Sequence, residues 1–113
     1  MKISESYQRG AVILTLSGQF DFKTQKMFRD AMKGAQQKSP RHIVIDLKDV
    51  SFVDSTALGL IALGHQNLNK DNVKLSLANP QASVQQVFDL ADFSQMARLF
   101  PTLEEALASP ACI

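Results

Sequence analysis

The stretch VSFVDSTALG, Val50–Gly59, places a carboxylate and two hydroxyls inside an apolar run, at the point where a strand hands over to a helix. Upstream, HIVIDLKDV reads as a short apolar strand buried on both faces at Ile43 to Ile45. Downstream, STALGLIALGHQNLNK reads as a helix that ends in the turn chemistry of Asn69, Lys70, Asp71 and Asn72. Asp54 or Ser55 suits the cap of that helix, because a short polar side chain there accepts a hydrogen bond from the first-turn amides.

The same alternation of strand and helix continues in both directions. ISES and AVILTLSG read as two strands joined by a tight turn at Gln8, Arg9 and Gly10. In the second, Val12, Leu14 and Leu16 alternate with Ile13, Thr15 and Ser17. Thr24 then has the character of a cap. Met27, Phe28, Ala31, Met32 and Ala35 follow at helical spacing until Ser39 and Pro40 stop the helix. VKLSLAN alternates as a strand with Val73, Leu75 and Leu77 on one face. Pro80 opens a third helix through Val84, Val87, Phe88 and Leu90. MARLFPTLEEALAS offers a short strand, then a helix from Thr102 with Glu105 three residues on, a capping-box spacing. This order predicts an α/β fold, a small mixed β-sheet with about four helices packed on it, in which helices connect neighbouring parallel strands.

At 113 residues the chain is expected to form one domain, residues 1–113. It is 45% hydrophobic and 20% charged, the balance of an ordinary globular protein. A formal charge of +1 with interspersed signs supplies no field to gather nucleic acid or an anionic membrane. The opening MKISESYQRG lacks the apolar region of a secretory signal, and no apolar run approaches the roughly 20 residues that span a bilayer. Cys112 is the lone cysteine, so no intramolecular disulfide is expected, which fits a cytoplasmic location.

The common catalytic constellations are not assembled. His42 and His65 are isolated and have no second ligand at metal spacing, so neither a metal nor a cofactor is expected. GQFDF and GLIALG lack the spacing of a dinucleotide fingerprint or a phosphate-binding loop, and Ser55 does not sit in a G-x-S-x-G elbow. Asp46 invites comparison with phospho-accepting aspartates, but Asp21 alone is a thin acidic complement for the cation such chemistry needs. The simpler expectation is a polar residue where a buried strand emerges, bound to nearby backbone amides.

HIVIDLKDVSFVDSTALGLI resembles the anti-sigma factor antagonist family, whose fold is the STAS domain and whose motif reads roughly D-L-x-x-V-x-F-x-D-S-[ST]-G-L-G. SGQFD, Ser17–Asp21, is similar to the segment after the family's second strand, and NPQASVQQVFDLADFSQMARLFPTLEEAL to its closing half. The resemblance implies a STAS-type single domain that is not an enzyme and takes part in partner switching. Such a domain binds an anti-sigma factor or kinase-type regulator when unphosphorylated, and is released by a serine kinase and restored by a phosphatase. Carried onto this chain, the phosphoacceptor is Ser55, with Thr56 the second choice. Asp21, Asp54 and Gly59 are its expected support or kinase-recognition residues. Ala57 stands where the commonest motif has glycine, a change that leaves the acceptor in place and alters how closely a partner's backbone can approach.

Asp21 has two open readings: presentation of Ser55 to a kinase, or a turn-capping aspartate near Thr24. Phe20 and Phe22 flank it and are expected to add to a docking surface. In the helix after the motif, one phase places Leu58, Ile61, Ala62, His65 and Leu68 on the sheet and leaves Thr56, Leu60, Leu63 and Asn67 outside. The competing phase buries Leu60, Ile61, Gly64 and Leu68 and exposes His65. We expect the first, with Leu60 and Leu63 beside Thr56 and Ala57 as the partner interface. Two other functions are compatible with this pattern: a STAS subunit of a membrane transport complex, and a small phosphotransfer enzyme using Asp46 or Ser55.

Overall fold

The computed structural model of the chain describes residues 1–91 and 98–108. The strands are β1 (Lys2–Gln8), β2 (Ala11–Phe20), β3 (His42–Val53), β4 (Lys74–Ala78) and β5 (Arg98–Phe100). The helices are α1 (Gln25–Gln36), α2 (Ser55–Lys70), α3 (Ala82–Leu90) and α4 (Leu103–Ala108), with one 3-10 turn at Phe22–Thr24 before α1. The sheet order follows the chain, β1-β2-β3-β4-β5. Only β1–β2 is antiparallel. Arg9 and Gly10 both take positive φ, 53° and 78°, the geometry that lets a two-residue turn match the twist of its strands.

Parallel neighbours need crossovers, and α1, α2 and α3 supply them between β2, β3, β4 and β5. Crossovers of one hand advancing in one direction put their helices on one face of the sheet. That face carries the larger core: Val12, Leu14 and Leu16 of β2 and Ile43, Ile45 and Leu47 of β3 meet Phe28, Met32, Ile61, Leu68, Val84 and Phe88 of the helices. The other face has a smaller cluster, Ala11, Ile13, Val44 and Ala78, covered by Ala106 of α4 with Leu103 and Leu107. Thr102 caps α4 through its hydroxyl, which accepts from the Glu105 amide at 3.1 Å.

β3 runs three residues past the end expected for it, and its burial explains how. Leu47, Val50 and Val53 are buried at every third position instead of every second. Two register shifts against β2, between Thr15 and Ser17 and between Gly18 and Gln19, each insert one extra β3 residue. A bulge re-aims the side chains that follow it. The first half of VSFVDSTALG is therefore bulged strand, paired with β2 until Phe20 meets Val53, and α2 starts at Ser55.

Several expectations change at this level. Thr24 makes no capping bond into α1. It forms a reciprocal capping box with Asp21 around the 3-10 turn. Met27 and Leu90 fit the helical spacing yet are exposed, because α1 and α3 each turn only a narrow stripe to the sheet. Pro80 precedes α3 by two residues instead of opening it, and Gln81 occupies the cap. Met96, Ala97 and Cys112 lie outside the described residues.

Candidate functional site

Asp54 organises the loop between β3 and α2. In extended conformation ahead of α2, it accepts from the Ala57 amide through Oδ1 at 2.9 Å and so caps the helix. Its other oxygen accepts from the amide of Phe22 at 3.1 Å, and its own amide donates to the Phe20 carbonyl at 3.3 Å. One carboxylate thus holds the helix start and clasps the β2–α1 loop against it. The sequence reading left the cap open between Asp54 and Ser55; the structure gives it to Asp54.

Ser55 is left as the first residue of α2, exposed, and its hydroxyl engages no described residue. Thr56, next along the helix, is half-buried, and Gly59 is exposed one turn later. The amides of a helix's first turn lack intrahelical acceptors, and the helix dipole adds positive potential there. An anion on the Ser55 oxygen would sit among these donors, although Asp54 already takes the Ala57 amide.

Asp21 lies on the neighbouring loop with its side chain turned inward to that loop. Its Oδ1 accepts from the Lys23 amide at 3.0 Å, while its amide donates to Thr24 Oγ1 at 3.0 Å. This is the turn-capping arrangement. The loop is adjacent to the motif, as expected, but the bridge between them is Asp54.

Three residues assigned to a partner interface are corrected. Phe20 is fully buried, its ring 4.7 Å from that of Phe28, because it is the last β2 residue and faces the helices. Ala57 is fully buried beneath the first turn of α2. Leu60 is 8% exposed and packs with Ile61 in the core, so α2 adopts a phase close to the competing one. α2 packs against α1 as well as the sheet, and a Cβ on Gly64 would stand 3.3 Å from Met32 Cε, so in this phase the bare backbone of Gly64 faces α1 while Leu60 turns into the core.

What the surface around Ser55 does offer is aromatic. Phe22 is 65% exposed and Phe52 48%, one on each segment that meets at Asp54. Leu63 is 53% exposed farther along α2. Phe52 was missed because it sits inside an apolar strand; only the every-third spacing of Leu47, Val50 and Val53 signals that it points outward.

The residues with other catalytic potential are occupied. His42 is buried and its Nε2 lies 2.8 Å from Ser76 Oγ. Burial, with the Lys74 charge as a lesser cause, lowers its pKa to about 4. Asp46 is 3% exposed, and its Oδ1 accepts from the Lys48 amide at 3.1 Å and the Asn79 side-chain amide at 3.3 Å. No helix among the described residues is long and apolar enough to cross a membrane.

Comparison with known proteins agrees with this arrangement. The STAS domain family matches residues 3–106. An anti-sigma F factor antagonist of Paenibacillus polymyxa is 28% identical over 108 residues, 95% of this chain and 92% of that protein. The crystal structure of a putative anti-sigma factor antagonist from Thermotoga maritima superimposes with a TM-score of 0.85 at 21% identity, covering 93% of this chain and 91% of that one. The phosphorylated form of the Bacillus cell fate determinant SpoIIAA has the same fold, with a TM-score of 0.69 at 23% identity and coverage of 94% and 96%. With its motif loop, its sheet and nearly its whole length accounted for in this way, the chain belongs to the STAS domain family.

Proposed function

We propose that this chain is an anti-sigma factor antagonist, a cytoplasmic binding module without enzymatic turnover, controlled by phosphorylation of Ser55. The unmodified form binds an anti-sigma factor or a related regulator. A serine kinase ends that binding, and a phosphatase restores it. The observation that carries this reading is the division of labour at the start of α2. Asp54 performs the structural work, and Ser55 stands exposed beside it with its hydroxyl free of described partners.

A phosphate on Ser55 adds roughly 1.5 to 2 negative charges next to the Asp54 carboxylate. The free domain tolerates it, since first-turn amides and the helix dipole face the new anion and water covers the rest. A partner packed over Phe22, Phe52 and Thr56 removes that water. An ion that loses hydration without gaining a counter-charge costs several kcal/mol, so the modified surface is rejected. Thr56 remains the second-choice acceptor, disfavoured by its partial burial. Of the two residues the enzyme reading would use, Asp46 is buried and already hydrogen-bonded, and Ser55 has no described residue on its hydroxyl to act as its base. The similarity to a solved phosphorylated SpoIIAA and to a named anti-sigma F factor antagonist supports the switch reading.

Phosphopeptide mapping of the chain isolated from its own cells tests the proposal. Modification is expected on Ser55 and to vanish in Ser55→Ala. Full-stoichiometry phosphate on Thr56 in that variant moves the acceptor by one residue, and phosphate on neither removes the switch.

A further inference from the structure

Beyond the motif loop, α1 and α2 enclose a groove that the phosphorylation switch does not use. Its volume is about 200 Å³. Drug-sized ligands occupy pockets of roughly 300–1,000 Å³, so this one suits an inserted side chain rather than a small molecule. Met32 and Leu60 form the floor, with Leu63 and Gly64 on the α2 wall. Leu63 keeps half of its surface uncovered there. The α2 part runs from Leu60 to Asn67, about 10.5 Å or two helical turns at 1.5 Å per residue.

The rim is one-signed. Arg29 and Lys33 of α1 line it, and among the described residues no carboxylate does. The Arg29 guanidinium donates to Gln25 Oε1 at 2.9 Å and keeps its other donors available. Lys33 forms no ion pair with a described residue. An apolar floor flanked by two helices, with Leu63 on the α2 wall, complements the apolar stripe of a helix, and the bases on one bank select carboxylates.

We propose that this groove receives an amphipathic, acid-flanked helix of the same regulator that packs on the Ser55 loop. This rests on the binding-module reading above, and it adds where and how the partner continues. The two surfaces lie on one helix, since Leu63 is eight residues beyond Ser55, about 12 Å. A second copy of this chain is a poorer occupant. Its acidic helix α4, with Glu104 and Glu105, already spends Leu103, Ala106 and Leu107 on its own sheet. Leu63 acts as the apolar anchor on this side, and Arg29 and Lys33 set the partner's charge.

Site-specific photocrosslinking in the native cell tests this with the full chain. One form carries Leu63→p-benzoylphenylalanine in the groove, and another carries Phe22→p-benzoylphenylalanine at the motif loop; both positions are exposed, and both variants are expected to melt near wild type. The Leu63 probe is expected to attach to a partner segment with apolar residues at helical spacing flanked by Asp or Glu. Arg29→Glu with Lys33→Glu should lower that yield at least tenfold and leave the Phe22 product within about threefold. A Phe22 product without a Leu63 product overturns the groove proposal and leaves the binding module intact. A Leu63 product on a second copy of this chain, on lipid or on a basic segment also overturns it. Absence of both products removes the binding-module reading and the groove together.

Discussion

Replacing Asp54 and Ser55 separately distinguishes a scaffold residue from a switch residue one position away. Asp54→Ala removes the cap on α2, worth about 1 kcal/mol. It also leaves the Phe22 amide without its carboxylate partner, about 1 kcal/mol more for a charge-assisted bond at a half-exposed site. The expected loss is about 2 kcal/mol. Asp54→Asn can keep an oxygen toward Ala57 but turns an amide donor toward the Phe22 amide, so about half of that loss should remain. Ser55→Ala deletes a hydroxyl that holds no described residue, and alanine favours the helix, so it should cost less than about 0.5 kcal/mol. Urea unfolding followed by circular dichroism reads all three variants, provided the m-value stays constant. If Ser55→Ala lost as much as Asp54→Ala, the serine would be a structural cap. A phosphate there would then unfold the helix start instead of altering a surface.

Leu60 and Leu63 should behave as opposites although both belong to α2. Leu60→Ala is expected to cost about 2–4 kcal/mol of stability, while Leu63→Glu leaves melting near wild type and weakens the partner by about 2 kcal/mol or more; equal destabilisation would refute the helix phase. His42 should make the fold acid-sensitive. Its folded pKa lies below the unfolded 6.5, so the unfolded chain takes up the proton first. The stability it contributes is complete above pH 6.5 and drains away as pH falls toward 4, by at most about 3 kcal/mol. The difference between wild-type and His42→Gln melting across that range should show this slope, and parallel profiles would count against it.

How much was legible in the sequence follows from which forces are local. The bounds of α2 could be read because its cap and its closing turn are local chemistry. The strand order was implied by alternation with helices, and the Arg9–Gly10 turn by its glycine. The phase of α2 was not legible. Leu58, Ile61, Ala62 and Leu68 make as good an apolar stripe as Leu60, Ile61 and Leu68, and what separates the two phases is packing against another helix, where Gly64 faces Met32, which no local pattern shows. Phe20 and Phe22 look alike in sequence, two residues apart on either side of Asp21. The first ends a strand facing the core and the second begins a 3-10 turn, so their exposures diverge from zero to 65%. The outward turn of Phe52 needed the two β3 bulges. These show in the sequence only as a lengthened apolar spacing, which simple alternation does not detect.

The measurement that bears most directly on the switch is a calorimetric titration of one anti-sigma-type partner with three forms of the chain: unmodified, Ser55→Asp and phospho-Ser55. A carboxylate carries one charge on a shorter stem, against roughly 1.5 to 2 charges and three acceptor oxygens on a phosphate. Both fit the exposed start of α2 in the free domain, but the larger charge loses more when the partner covers it. Partner switching at Ser55 therefore predicts affinity falling in the order unmodified, Ser55→Asp, phospho-Ser55. Tighter binding by the phosphorylated form would contradict it, because the partner would then be reading the phosphate as a ligand.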